Sequence, residues 1–130
     1  MPAYNFQPRF APQILSGEKR TTIRSKPAKA GSPAHLFTGM RTKTCQRLGQ
    51  SVVTDCLSVT LGWLDNGSPH ITLGSRRLNH QQQISMAEAD GFESPREMGK
   101  WFETTYKVPV NHSGCAHDVF AGFWIKWEPL

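Results

Sequence analysis

Cysteine is scarce in this chain of 130 residues: Cys45, Cys56 and Cys115 are the only three. An odd number cannot pair completely and none stands in a Cys-x-x-Cys pair, which argues against a disulfide framework and for reduced, partly buried thiols. Long apolar runs are missing too. No window approaches the roughly 18 apolar residues that a membrane-spanning helix needs. The start, Met1-Pro2-Ala3-Tyr4-Asn5-Phe6, has neither the basic residues nor the apolar stretch of a secretion signal. These absences lead us to expect a soluble cytoplasmic protein. Glycine-rich phosphate loops of the Walker or dinucleotide kind are absent, so neither nucleotide-driven chemistry nor a resident cofactor is expected. No period of about 20–50 residues repeats, which excludes a solenoid.

Acidic side chains are nearly missing from residues 1–50. Glu18 stands alone there against Arg9, Lys19, Arg20, Arg24, Lys26, Lys29, Arg41, Lys43 and Arg47, whereas residues 51–130 carry more acid than base and the whole chain is +5. A field so lopsided attracts an anion, and nucleic acid is the commonest large one in the cytoplasm. A basic face that merely keeps the protein soluble is the plainer alternative. Hydrophobic residues make up 38% and charged residues 19%, which suits one folded domain over residues 1–130 and not a disordered chain.

The hydrophobic pattern is strand-rich. Tyr4–Phe10 alternates weakly, Thr21–Arg24 is β-branched, and His35–Gly39 reads as a further strand. Ser51–Leu64 alternates apolar and polar after Cys56, and Ile71–Leu78 should pair with it across the turn Asp65-Asn66-Gly67-Ser68-Pro69. Residues 26–33 form a Pro/Gly loop. Ala11–Ser16 predicts a short helical turn ended by Gly17 in the left-handed conformation. Ser85–Asp90 predicts a short helix stopped by Gly91. Ser94-Pro95-Arg96-Glu97 is a capping box opening a helix that runs to about Tyr106 with Met98, Trp101, Phe102 and Tyr106 near one face. Val119–Trp127 is a closing aromatic strand in which at least one of Trp124 and Trp127 should fill the core. The expected fold is α+β: a small, closed or nearly closed β-barrel with two or three flanking helices.

The densest chemical signal lies at Ile14–Arg24. A helix end, a glycine and a strand start crowd Lys19, Arg20 and Arg24 with Thr21 and Thr22. Strand alternation puts Arg20, Thr22 and Arg24 on one face. Like charges beside Lys19 should lower its pKa, and a lysine lowered in this way can serve as a base toward a hydroxyl such as that of Thr22. A solvated basic turn, with threonines serving β-propensity, would produce the same letters.

Here a family becomes visible. Phe10–Arg24 with its Gly17-x-Lys19-x-x-Thr22-Ile23-Arg24 core, then the Pro/Gly loop and Leu36-Phe37-Thr38-Gly39-Met40-Arg41-Thr42-Lys43, resembles the ASCH domain, a relative of the PUA RNA-binding fold. The resemblance is closest to small bacterial and phage members and continues at Ala87-Glu88-Ala89-Asp90-Gly91-Phe92 and Phe123–Trp127. It implies a PUA-like β-barrel whose cleft faces RNA or a cytidine-type nucleoside. One bacterial group in the family hydrolyses the acetyl amide of N4-acetylcytidine with a Lys, Thr and Glu set. Carried over, Lys19 would be the base and Thr22 the nucleophile. The acid would fall at Asp90, one methylene shorter than the family's glutamate, with Glu88 as a second candidate. Arg24 would orient the substrate or stabilise the oxyanion. A second implied behaviour is binding or cleavage of single-stranded RNA, with Arg9, Arg20, Arg24, Arg41 and Lys43 holding the nucleic acid and Phe37, Trp63, Trp124 and Trp127 available for stacking. The middle, Leu61–Arg77, is longer than in the acetylcytidine group.

Two further groups could carry chemistry. His112, Cys115, His117 and Asp118 include potential zinc ligands, but their spacing matches no closed four-ligand pattern, so no metal is expected. Cys115 and His117 could also share a strand face as nucleophile and base, without an orienting third group on that face. Arg76-Arg77 reads as a solvated strand edge that discourages aggregation.

Overall fold

A computed structural model describes residues 3–64, 68–106, 111–113 and 116–129. The chain runs β1 (Ala3–Phe6), a single 3-10 turn (Pro8–Phe10), α1 (Ala11–Ser16), β2 (Thr21–Arg24), β3 (Pro33–Thr38), β4 (Gln46–Leu64), β5 (Pro69–Leu73), β6 (Arg76–Arg77), α2 (His80–Ala89), α3 (Pro95–Tyr106), β7 (Asn111–Ser113) and β8 (Ala116–Trp127). All eight strands join one sheet. The fold is α+β, with α3 packed against β4, β5 and β8.

The sheet is organised by β4, whose 19 residues serve three neighbours. Its first part pairs antiparallel with β3, from Gln46↔Thr38 to Val52↔Pro33. From Val53↔Trp127 to Leu64↔Ala116 it pairs with β8, and Val59–Trp63 also pairs with β5. β1 lies parallel to β3, with Phe6 opposite Thr38, and β2 lies antiparallel to β8, with Thr22 opposite Ile125. The register of β4 against β8 shifts twice, at Val53/Asp55 and Leu61/Gly62. Such irregularities let a long strand bend between partners.

Where the sequence led us to expect a closed or nearly closed barrel, the hydrogen bonding shows a sheet that is not closed. Among the described residues β1 and β2 form no ladder, so the sheet is open at that seam. Side chains bridge it. Arg24 Nη2 donates to the Asn5 carbonyl at 2.7 Å, and the Phe6 and Trp127 rings stand 5.8 Å apart. Trp127 is buried in the core while Trp124 is half-buried.

Local chemistry sets the element ends. α1 covers the expected residues, and Gly17 at φ +86° ends it. α2 begins five residues before the expected Ser85, because Asn79 and Gln82 form a reciprocal capping box. α3 starts at Pro95 with the Glu97 N–H donating to Ser94 Oγ at 3.1 Å, and the Glu97 carboxylate accepts from Glu93 N rather than from the cap residue. β1 is cut short at Phe6 because Gln7-Pro8 turns into the 3-10 segment. The expected strand Ile71–Leu78 is broken by Gly74 at φ +63° into β5 and β6. Residues 65–67 of the expected turn lie outside the described residues.

Gly122 of β8 is a packing constraint. A Cβ there would overlap the Arg24 carbonyl oxygen and stand 2.7 Å from the Phe120 ring. Gly122→Ala should therefore cost about 1–3 kcal/mol of unfolding free energy, whereas Leu57→Ala, at a side chain 43% exposed, should stay within about 0.5 kcal/mol. Urea denaturation of both variants measures this, and equal midpoints would contradict the packing account.

Candidate functional site

The site is assembled by two tight turns. At the first, Gly17 ends α1 and the Lys19 N–H donates to the Gln13 carbonyl at 2.9 Å, which folds the lysine back under the helix. At the second, Asp90 caps α2, and Gly91 at φ +93° reverses the chain. Gly91 N donates to Glu88 O at 3.0 Å and Phe92 N to Ala87 O at 2.9 Å, the pairing of a left-handed helix stop. A Cβ on Gly91 would fall 2.8 Å from the Phe10 ring, so glycine is sterically required between Asp90 and Phe92. Phe92 is buried after the turn, and the Asp90 side chain meets Lys19 and Thr21.

The two turns meet through Lys19 and Asp90. Their side chains are 3% and 4% exposed, and Lys19 Nζ donates to Asp90 Oδ1 at 3.0 Å. The ammonium also donates to the Thr21 and Asp90 carbonyls, both at 2.7 Å, so all three of its N–H directions are spent. Thr21 Oγ1 donates to the same Asp90 Oδ1 at 3.0 Å. The amine lies 5.0 Å from the centre of the Phe10 ring and 5.5 Å from that of Phe6, an aromatic setting that favours a cation. Placed at the end of α2, the ammonium also offsets the partial negative charge of that terminus.

Burial works against both charges and each partner works for the other. Desolvation lowers the Lys19 pKa, opposed by Asp90, with Arg24 and Arg9 adding repulsion. Desolvation raises the Asp90 pKa, opposed by Lys19, by the Thr21 hydroxyl and by Arg24. The direction for Lys19 agrees with the sequence argument, but its chief cause is burial, and Arg20 has no part in it. Arg20 precedes β2, is exposed, and contributes its carbonyl to Trp127 N at 2.9 Å. Thr22 and Arg24 share a cavity, and Arg20 does not join them.

That cavity holds about 240 Å³ and is lined by Asn5, Phe6, Gln7, Phe10, Lys19, Thr22, Ile23, Arg24, Asp90, Phe92, Trp101, Phe102 and Thr105. Lys19, Thr22, Asp90 and Arg24 thus meet in one space, although their bonding differs from the expected relay. Thr22 Oγ1 accepts from Arg24 Nε at 3.0 Å and makes no hydrogen bond with Lys19 among the described residues. Asp90 is bonded by Thr21, a residue the sequence argument treated as a neighbour of the site. Glu88 is exposed, so of the two acids only Asp90 lines the cavity. Arg24 also stands over Phe6 at 4.9 Å and Tyr4 at 5.4 Å.

Of the other expected cations, Arg9 stands beside the cavity over Phe10 and Phe92 and bonds Glu97 at 2.9 Å. Arg41, at φ +65°, and Lys43 are exposed in the turn after β3, a segment tied to the cavity wall where Met40 N donates to Asn5 Oδ1 at 2.9 Å. The aromatic wall of Phe6, Phe10, Phe92, Trp101 and Phe102 escaped the sequence reading. Its signal was the clustering of apolar rings at both turns and along α3. Among the described residues no three His, Cys, Asp or Glu side chains converge as a metal site. Cys115 and the side chains of His112, His117 and Asp118 lie outside the described residues.

A larger cleft of about 810 Å³ lies elsewhere, at the starts of α2 and α3. Size alone does not make it the candidate site. The smaller cavity holds the two ionisable groups whose pKa values burial displaces most clearly, together with a hydroxyl and a guanidinium. Comparison of the chain with family models, with characterised proteins and with solved structures finds no match to any of the three.

Replacing Thr21 by the isosteric Val removes one of the two donors on Asp90 Oδ1. The Asp90 pKa should rise further, because the lost hydrogen bond favoured the carboxylate, and stability should fall by about 1–3 kcal/mol. Carboxyl 13C titration and urea denaturation read the two effects; an unmoved Asp90 pKa would contradict the assigned bond.

Proposed function

We propose that this chain is a cytoplasmic ASCH domain of PUA-like fold that takes a cytidine-type base into the Lys19–Asp90 cavity and hydrolyses its N4-acyl amide, with Thr22 as nucleophile. The observation that carries the reading is the convergence of an amine, a carboxyl, a hydroxyl and a guanidinium in one aromatic-walled cavity. A volume of about 240 Å³ lies below the usual range for drug-sized ligands and suits a single nucleoside. The rings of Phe6, Phe10, Phe92, Trp101 and Phe102 offer faces for a base, and stacking on aromatic side chains is worth about 1–3 kcal/mol per base. The Arg24–Asn5 bond from β2 to β1 and the Phe6–Trp127 contact from β1 to β8 support a barrel-like closure, and the free thiols of Cys45 and Cys56 suit a reducing compartment.

In the reaction the Thr22 hydroxyl attacks the acyl carbon. The C–N4 bond breaks, the amine leaves with a proton, and water then cleaves the threonine ester to release the carboxylic acid. Arg24 Nε, already bonded to Thr22 Oγ1, stabilises negative charge on the reacting oxygens. For Lys19 to take the threonine proton, its amine must be neutral and must leave one of its three acceptors. Transfer of its proton to Asp90 Oδ1 along the 3.0 Å bond supplies the first condition, and burial of both groups favours that neutral pair.

A second reading is supported by the same hydrogen bonds: a domain that binds single-stranded RNA without acyl chemistry, in which Lys19 stays a saturated structural ammonium. Arg9, Arg41, Lys43 and the excess of cations in residues 1–50 would then hold phosphates. The assay that separates the two is deacylation of N4-acetylcytidine followed by absorbance. The wild type should turn over, and Thr22→Ala should lose about 10³-fold or more in kcat while remaining folded by circular dichroism. No turnover by the wild type, or unchanged turnover in Thr22→Ala, would contradict the hydrolase reading.

A further inference from the structure

The 810 Å³ cleft gathers residues that the cavity chemistry does not use. Arg77 reaches it from β6, His80 from the first turn of α2, and Arg96 from the first turn of α3. All three are exposed, and none has an acidic partner among the described residues. Two helices begin at this one cleft. Their caps, Asn79 and Ser94, accept from the third helical N–H of each, leaving the His80 and Gln81 N–H groups of α2 and the Arg96 N–H of α3 without intrahelical partners, Pro95 having none to give. Two arginines, an imidazole able to donate and two helix N-termini around one depression make an anion-attracting site.

A second observation refines the ligand. Gln83 lines the cleft and is only 7% exposed. Its Nε2 donates to the Leu78 carbonyl at 3.3 Å, which fixes the orientation of the amide, and its Oε1 has no protein hydrogen-bond partner among the described residues. That oxygen opens to the cleft, where it can accept from a donor on a ligand. The cleft therefore asks for an anion and a hydroxyl side by side.

We propose that this cleft is a ribose-phosphate subsite for single-stranded RNA: Arg77, Arg96 and His80 hold a phosphate, and Gln83 Oε1 accepts from the adjacent 2′-hydroxyl. The inference rests on the nucleic-acid side of the proposed function and adds to it that the substrate base arrives within a strand. The cleft touches α3 at Ser94–Arg96 and the central cavity touches it at Trp101, Phe102 and Thr105. Seven residues of helix separate Ser94 from Trp101, a rise of about 10 Å. At about 3.4 Å per nucleotide of stacked strand, this is about three nucleotides. Arg77 thus has a use beyond blunting a strand edge.

The test uses a fluorescent single-stranded RNA decamer, its deoxy counterpart and the full chain, with affinity measured at several salt concentrations. Each of Arg77→Ala and Arg96→Ala should weaken RNA binding about tenfold at low salt. The double variant should lower the salt slope by about 0.7, the value for one phosphate contact on a single strand. Gln83→Leu should reduce the preference for RNA over DNA toward unity and leave the salt slope unchanged. Wild-type affinity and slope in the double variant would overturn the subsite, as would equal wild-type affinity for RNA and DNA or no affinity for RNA at all. The fate of the central cavity is read separately from hydrolysis of free N4-acetylcytidine, which carries no phosphate and should be insensitive to the Arg77 and Arg96 changes. Titration of the wild type with inorganic phosphate, followed at the arginine Nε resonances, shows whether the cleft binds the anion even if the decamer is bound elsewhere; unmoved Arg77 and Arg96 signals would again overturn the subsite.

Discussion

Lys19 and Asp90 are 71 residues apart in sequence and 3.0 Å apart in space, and most of the architecture around the cavity follows from keeping them together. An isolated charge at either position would be strongly disfavoured, since neither side chain retains more than a few per cent of its exposure. The pair survives because its desolvation is offset three times over: by mutual attraction, by two backbone carbonyls on the amine, and by the Thr21 hydroxyl on the carboxylate. Removing one partner of such a pair is far more damaging than replacing both. The left-handed turns at Gly17 and Gly91 exist, in this sense, to deliver two charged groups to one buried point, and the rings of Phe6, Phe10 and Phe92 then close around them.

The same arrangement creates a tension between structure and chemistry. An ammonium with three acceptors is well satisfied and a poor base. Burial pushes the proton the other way, toward a neutral amine and a neutral acid. A ligand that displaces one carbonyl acceptor would convert a structural lysine into a reactive one, so binding and activation would be a single event. Arg24 stands on the other side of this balance. Its guanidinium bonds Thr22, bridges β2 to the Asn5 carbonyl and lies over two rings, so its charge is fixed in place before any substrate arrives. Preorganised charge of this kind needs no rearrangement at the moment of reaction.

Much of this was legible in the sequence, and the reasons are local. α1 and its glycine stop, the Thr21–Arg24 strand and the Ser94-Pro95 start of α3 are encoded by residues within a few positions of one another. The Asp90-Gly91-Phe92 turn carries its own signature, because only glycine fits beside Phe10. What local letters could not show was distance. The pairing of Asp90 with Thr21 rather than Thr22 depends on how α2 approaches β2, and the exclusion of Arg20 depends on where β2 begins. The open seam between β1 and β2 is likewise a property of the whole sheet. The early start of α2 was there to be read in Asn79 and Gln82, but its polar face hid the helical period.

The measurement closest to the heart of the account is the side-chain 15N spectrum of Lys19. The account requires an Nζ resonance whose hydrogens exchange with water far more slowly than those of exposed lysines such as Lys43, and which shifts saturably as N4-acetylcytidine is added. A Lys19 signal that exchanges as fast as the surface lysines and stays put throughout the titration would contradict both the buried pair and the cavity built around it.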